Sequence, residues 1–202
     1  MKVGILTGGG DCPGLNPVIR AAVRKGRNYY GYEFIGILNG WAGLLNIETM
    51  PLDLQTVSGI LQRGGTILGT SRTNPYKKDN GPKIASENYK RLGLDALIAI
   101  GGEDTLGVAA KLFQDGIKVV GVPKTIDNDL PLPEDISSFG YETAREVGTR
   151  LVMNLKKDAV TSRHWFLVMC MGRKSGHLAL GIGKSAMATI ILVPEEWPDG
   201  HI

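Results

Sequence analysis

The densest run of reactive side chains is GVPKTIDNDL, Gly121 to Leu130, where Lys124, Thr125, Asp127 and Asp129 directly follow an apolar stretch. Two aspartates two residues apart can aim one carboxylate at a hydroxyl and the other at a metal. Phosphoryl transfer needs this set: a carboxylate to take the acceptor's proton, oxygen ligands for Mg²⁺, and a cation to meet charge on the transferring group. An Asx-rich turn could hold the same residues without chemistry, but the Lys-Thr prefix makes that the lesser reading.

Other stretches add anion-friendly loops. GGGDCPG, Gly8 to Gly14, lies between a strand pattern and a helix pattern, where free backbone N–H groups and the helix dipole attract anions. It has neither Walker nor GxGxxG spacing, so a tight turn competes evenly with a phosphate site. GGTILGTSR, Gly64 to Arg72, delivers one arginine, either a solvated charge or a phosphate clamp. In IAIGGEDTLG, Gly101 and Gly102 resemble an anion cradle, yet Glu103 and Asp104 follow at once and would repel phosphate. MGRKSGH, Met171 to His177, opens a helix with Arg173 and Lys174, and His177 and His201 read as structural. GIGKSA, 181 to 186, mimics the end of a Walker loop, but Leu178 occupies the place of its first glycine and a small-residue helix fits better.

These loops need a scaffold, and the chain supplies alternating patterns. KVGILT, YEFIGIL, ALIAI and KVVGVP read as strands. LNPVIRAAVRKGRNYY, KIASENYKRLGL and DTLGVAAKLFQDG read as helices, and DLQTVSGILQR as an amphipathic segment with Asp53 as its N-cap. Alternation of this kind implies an α/β fold, a three-layer open and mostly parallel sheet with helices on both faces. Ligands in such sheets bind at the carboxyl ends of strands, where the loops after Thr7, Ile100 and Val122 all fall. Past the Pro-rich stretch at 131 to 133 the pattern restarts with helix YETAREVGTRLVMNLKKD, strand WFLVMCM, helix SGHLALGIGKSAMA and strand TIILVP. A boundary near Ser138 divides domain 1–138 from domain 139–202, and the ending PEEWPDGHI leaves the second α/β domain incomplete.

Composition limits the partners. At 202 residues the chain can bury a real core. A net charge of +3 with dispersed Lys and Arg does not mark nucleic acid or a membrane as a partner. Cys12 and Cys170 lie far apart without metal-ligand spacing, which argues against a zinc site or a disulfide scaffold. With no apolar run near 20 residues and no leader pattern at MKVGILTGGG, a cytoplasmic location is expected.

Together GGGDCPGLN, GTSR, GGEDT, PKTIDND, FGYETA and MGRKSGH resemble the phosphofructokinases, in that family's order and approximate spacing. The resemblance implies phosphorylation of fructose 6-phosphate at its 1-hydroxyl by a Mg²⁺-dependent enzyme. Asp127 would be the general base, with Thr125 beside it holding substrate. Glu103 and Asp129 would sit around Mg²⁺, and Gly10, Arg72, Gly102 and Thr105 around the donor phosphates. Met171, Gly172 and Arg173 would contact the sugar phosphate, with Arg163 reaching a neighbouring subunit's. Domain 1–138 would bind the donor and 139–202 would begin the acceptor domain.

Asp104 and Lys124 speak to the donor, because ATP-using members typically carry glycine at both places and pyrophosphate-using members Asp and Lys. An Asp at 104 would repel ATP's α-phosphate, while Lys124 would meet the transferring phosphoryl oxygens. Pyrophosphate is therefore the expected donor and ATP the alternative. A silent sugar-phosphate-binding homologue is the reading from another class. Lipid and NAD kinases share a GGDGT-like loop but supply neither PKTIDND nor MGR. Some positions depart from the family pattern: Glu103 replaces the commoner Asp, Arg163 in SRHWF is displaced by one, and Met187 stands where glycine is usual, read as a packing change. Members run well beyond this length, as homodimers or homotetramers, so the 202-residue chain alone is expected to fold poorly and lack activity.

Overall fold

A computed structural model describes residues 1–133 and 138–196. They form two compact units, Met1–Lys124 and Thr125–Ile202. The division comes earlier than Ser138. Thr125 N–H donates to Ser138 Oγ at 2.7 Å and Ser138 N–H to Asn128 Oδ1 at 3.2 Å, which ties the TIDND loop to the residue expected to end the first domain.

In the first unit β1 (Lys2–Thr7), α1 (Leu15–Tyr30), β2 (Glu33–Ile37), α2 (Trp41–Asn46) and β3 (Thr49–Leu52) lead through a long irregular segment to α3 (Gly81–Arg91). Then come β4 (Ala96–Gly101), α4 (Glu103–Gln114) and β5 (Val119–Pro123). The sheet order is β3-β2-β1-β4-β5, parallel except for β3, which pairs antiparallel with β2. Chain direction across the sheet reverses between β1 and β4, so the loops after these two strands flank the switch point where such sheets bind ligands.

Both faces are covered, as period-two alternation requires. Leu6, Ile37, Leu97 and Ala99 pack with Trp41 and Leu44 of α2, Ala85 and Tyr89 of α3, and Val108 and Leu112 of α4. On the other face α1 crosses β2 so closely that a Cβ on Gly26 would fall 2.3 Å from the Phe34 ring. The buried stripe Leu15, Ile19, Val23 is the helical face expected from spacing.

Residues 53–63 form turns rather than a helix, and Asp53 caps only a local turn, accepting from Thr56 N–H at 2.7 Å and Thr56 Oγ1 at 2.8 Å. These bonds, the backbone one first, hold its carboxyl below the ordinary value.

In the second unit α5 (Tyr141–Ser162) packs against α6 (His177–Ala186) through small residues. A Cβ on Gly148 would lie 2.4 Å from Ile182, and one on Gly181 would lie 2.7 Å from Tyr141 Oη. GIGKSA therefore lies inside a packed helix, where its glycines allow close approach. Neither expected strand forms: Trp165–Met171 and Thr189–Val193 are irregular, followed by a 3₁₀ turn at Pro194–Glu196. A strand requires a neighbour for its N–H and C=O groups, and no strand partner exists among the described residues of this unit. An apolar groove of about 660 Å³, lined by residues such as Trp165, Leu167, Ile182 and Ile190, remains between them and the helices. His201 lies outside the described residues.

Met187 closes α6 with φ 51° and is 72% exposed. The usual glycine at this place thus answers to a left-handed helix end rather than to packing, which corrects the expectation from sequence.

Candidate active site

Three loops meet at the carboxyl edge of the first sheet. Gly8 N–H donates to Ile100 O at 2.8 Å and Lys124 N–H to Gly101 O at 2.9 Å, extending the ladders one step past each strand. Gly9 takes φ 82° and Gly14, which precedes α1, takes φ 106°, so the chain turns through conformations that suit glycine.

Thr105, 4% exposed, fills the angle between two of the loops. A Cβ on Gly8 would lie 2.5 Å from its Oγ1, and one on Gly101 would lie 2.5 Å from its Cβ. The threonine is therefore a wedge that requires glycine on both sides.

Lys124 is 4% exposed, and its Nζ donates to Gly10 O. A Cβ on Gly9 would lie 3.7 Å from that Nζ and 4.0 Å from Gly102 N. The ammonium thus stands against the loop of Gly9 and Gly10, while the Lys124 backbone, through its N–H to Gly101 O, meets the second glycine pair. Glu103 and Asp104 occupy the first turn of α4 and are exposed, with Gly102 as N-cap. The position answers the apparent conflict in GGEDT, since carboxylates are stabilised at the positive end of a helix dipole.

Arg72, exposed, is reached through Ser71: a Cβ on Gly40 would lie 3.6 Å from both Ser71 N and Gly8 Cα. The structure accordingly brings Gly10, Arg72, Gly102, Asp104, Thr105 and Lys124 to one edge of one sheet.

The second unit carries Thr125, Asp127, Asp129, Arg163, Met171, Gly172 and Arg173. Thr125 is 8% exposed, and its Oγ1 accepts from Asp127 N–H at 3.0 Å, turning the loop back on itself. Ser175 Oγ donates to Asp127 O at 2.9 Å, and His177 Nδ1 lies 3.0 Å from Asn128 O. These two bonds bring the TIDND and MGRKSGH loops together and give His177 a structural part. Asn128 (φ 53°) and Arg173 (φ 58°) are both left-handed, conformations that cost a non-glycine residue roughly 1–2 kcal/mol. Arg173 and Met171 are exposed, and Arg163 caps the end of α5 at φ 57°.

Glu195 accepts from Gly176 N–H at 2.8 and 3.1 Å at the start of α6. That bond, ahead of its own backbone and the His177 charge, holds its carboxyl below the ordinary value. Reading the sequence missed this cap, because Glu195 is distant in sequence and nothing local marks it. It also missed Asn16 and Thr7, polar residues buried in the first unit.

No group of three or more His, Cys, Asp or Glu converges on a metal position among the described residues. Mg²⁺ tolerates this, since it keeps several waters and binds through one or two carboxylates plus phosphate oxygens. Glu103 in the first unit and Asp129 in the second are each exposed. No helix among the described residues is long and apolar enough to cross a membrane.

A family model described as phosphofructokinase matches residues 2–201. The chain is 52% identical over 197 residues to a pyrophosphate–fructose 6-phosphate 1-phosphotransferase of Streptomyces coelicolor, covering 97% of this chain and 57% of that protein. It is 47% identical over 195 residues to an ATP-dependent 6-phosphofructokinase of the same organism, covering 96% of this chain and 57% of that protein. Among solved structures, a phosphofructokinase of Saccharomyces cerevisiae superposes with a TM-score of 0.77 at 30% identity, covering 90% of this chain and 27% of that one. The chain therefore spans little more than half the length of these curated relatives.

Proposed function

Because the chain belongs to the phosphofructokinase family, we propose that its protein transfers a phosphoryl group from pyrophosphate to the 1-hydroxyl of fructose 6-phosphate. The observation that carries the choice of donor is Lys124, buried with its Nζ against the Gly8–Gly10 loop, together with Asp104 in the first turn of α4. A buried ammonium beside a glycine loop can meet the oxygens of a small, highly charged donor. Asp104 adds a negative charge where a nucleotide would bring its α-phosphate, and pyrophosphate has none to repel.

The roles follow the family pattern residue by residue. Gly10, Gly102, Thr105 and Arg72 hold the donor phosphates. Asp127 takes the proton from the sugar hydroxyl, and Thr125 fixes the loop that carries it. Met171, Gly172 and Arg173 hold the sugar phosphate, with Arg163 as a contact to a neighbouring subunit in a homodimer or homotetramer. Mg²⁺ falls to Glu103 and Asp129, and when bound it supplies charge neutralisation on the phosphate oxygens.

The test is a donor exchange with the full-length gene product in the cytoplasmic, Mg²⁺-containing conditions that the reading implies. Phosphorylation should run faster with Mg-pyrophosphate than with Mg-ATP, and the reverse ranking defeats the choice of donor. ATP is the second reading, favoured by the 47% identity to an ATP-dependent relative.

A further inference from the structure

Asn16 lies in the first turn of α1 and is 1% exposed. Both ends of its amide serve one distant segment. Nδ2 donates to Arg63 O at 2.9 Å and Gly64 O at 3.3 Å, while Oδ1 accepts from Ile67 N–H at 2.8 Å.

Thr7, the last residue of β1 and fully buried, holds the same segment further on. Its Oγ1 donates to Gly69 O at 2.7 Å and lies 3.0 Å from Thr66 Oγ1, which in turn accepts Leu68 N–H at 3.1 Å. Asn39 N–H adds a bond to Leu68 O at 2.8 Å.

Residues 63–69 form neither helix nor strand, so these side chains replace the ladder that would otherwise fix them. The segment leads directly to Ser71 and Arg72. Asn16 and Thr7 also bracket the glycine loop, one at each end. The same two residues therefore anchor the backbone loop proposed for the donor phosphates and the segment that delivers the arginine.

We propose that Asn16 and Thr7 are positioning residues for the phosphoryl donor, fixing the 63–72 segment so that Arg72 presents its guanidinium to the ligand at the glycine loop. The inference rests on the reading of Arg72 and Gly10 as donor contacts. Its physical basis is preorganisation: a segment held before the ligand arrives pays less ordering entropy on binding.

Asn16→Asp keeps the shape and the acceptor for Ile67 N–H but turns oxygen toward the carbonyls of Arg63 and Gly64. Thr7→Val keeps the shape and removes the hydroxyl. Each is made in the full-length protein, alone and with Arg72→Ala, and KM for Mg-pyrophosphate, KM for fructose 6-phosphate and kcat are measured. Asn16→Asp should raise the pyrophosphate KM about tenfold and Thr7→Val about threefold, leaving the sugar-phosphate KM within about twofold. In the Arg72→Ala background each should change the pyrophosphate KM by less than about twofold, because a residue acting through Arg72 has nothing left to position.

The same factor with and without Arg72, or equal rises for both substrates, overturns the inference. Thermal melting identifies a variant that fails to fold, and the cycle then rests on Thr7→Val. If the unmodified enzyme uses ATP alone, the proposed donor falls, while the cycle read on the ATP KM still decides whether Asn16 and Thr7 position it.

Discussion

Leu97 of β4 is fully buried, whereas Leu167 in the second unit is 96% exposed. Both stand in apolar runs. β4 has β1 on one side and β5 on the other, and its Leu97 and Ala99 pack into the core shared with α2, α3 and α4. Trp165–Met171 has no strand beside it among the described residues. The contrast shows that pairing comes before burial: a strand must satisfy its backbone before its side chains can form a face.

It also separates two ways of holding a loop. The first unit fixes its strand-end loops by extending strand ladders and by packing glycine against Thr105, and uses side chains, Asn16 and Thr7, for residues 63–69. The second fixes TIDND and MGRKSGH by side chains bonding to backbone, from Ser138, Ser175, His177 and Glu195.

The largest expected effect lies in a side-chain-tied loop. Asp127→Asn keeps the backbone bonds to Thr125 and Ser175 and should lower kcat by about 10²–10⁴ with little change in melting temperature. A variant retaining full kcat would remove Asp127 from the chemistry. Next, Leu97→Ala should destabilise by about 2–5 kcal/mol in denaturant unfolding, against less than about 0.5 kcal/mol for Leu167→Ala. Equal losses would break the contrast between the units.

Asp104→Gly with Lys124→Gly should shift kcat/KM toward ATP over pyrophosphate about tenfold, roughly 1.4 kcal/mol. An unchanged ATP preference would end the exclusion argument. Met187→Gly should stabilise the protein by about 1 kcal/mol, because only the left-handed helix end constrains that position.

The smallest effect is a pH dependence confined to the second unit. The Glu195 carboxyl is held below its ordinary 4.5 by Gly176 N–H, so its stabilisation is present above that value and is lost as pH falls through the lowered one. The protection of the Gly176 amide, taken against its intrinsic exchange rate at each pH, should fall on acidification, and Glu195→Gln should flatten the profile.

Much of the first unit was legible because its signals are local. Apolar runs end in glycine or proline at Thr7, Ile100 and Val122, and α1 occupies the stretch its periodicity marks. β3 escaped because four residues, TMPL, with a proline on an edge strand, carry little pattern. The turns at 53–63 misled because amphipathic spacing cannot report that Asp53 spends its carboxylate on Thr56. The sheet-edge places of Gly102 and Lys124 were readable because each directly follows a strand, and that of Gly10 because it lies in the glycine run after β1. Asn16 and Thr7 were not, since a buried amide and a hydroxyl show their use only when residues 47 to 62 positions away arrive beside them. The strands foreseen in the second unit failed for the reason that separates Leu97 from Leu167.

The Thr105 wedge limits how this protein can change. Gly8 and Gly101 cannot gain even a methyl group while the threonine stands between them, so mutational paths through either glycine are closed until position 105 shrinks. A library that varies these loops one residue at a time would find only dead ends there. One that varies positions 8, 101 and 105 together could reach differently shaped anion pockets on the same sheet.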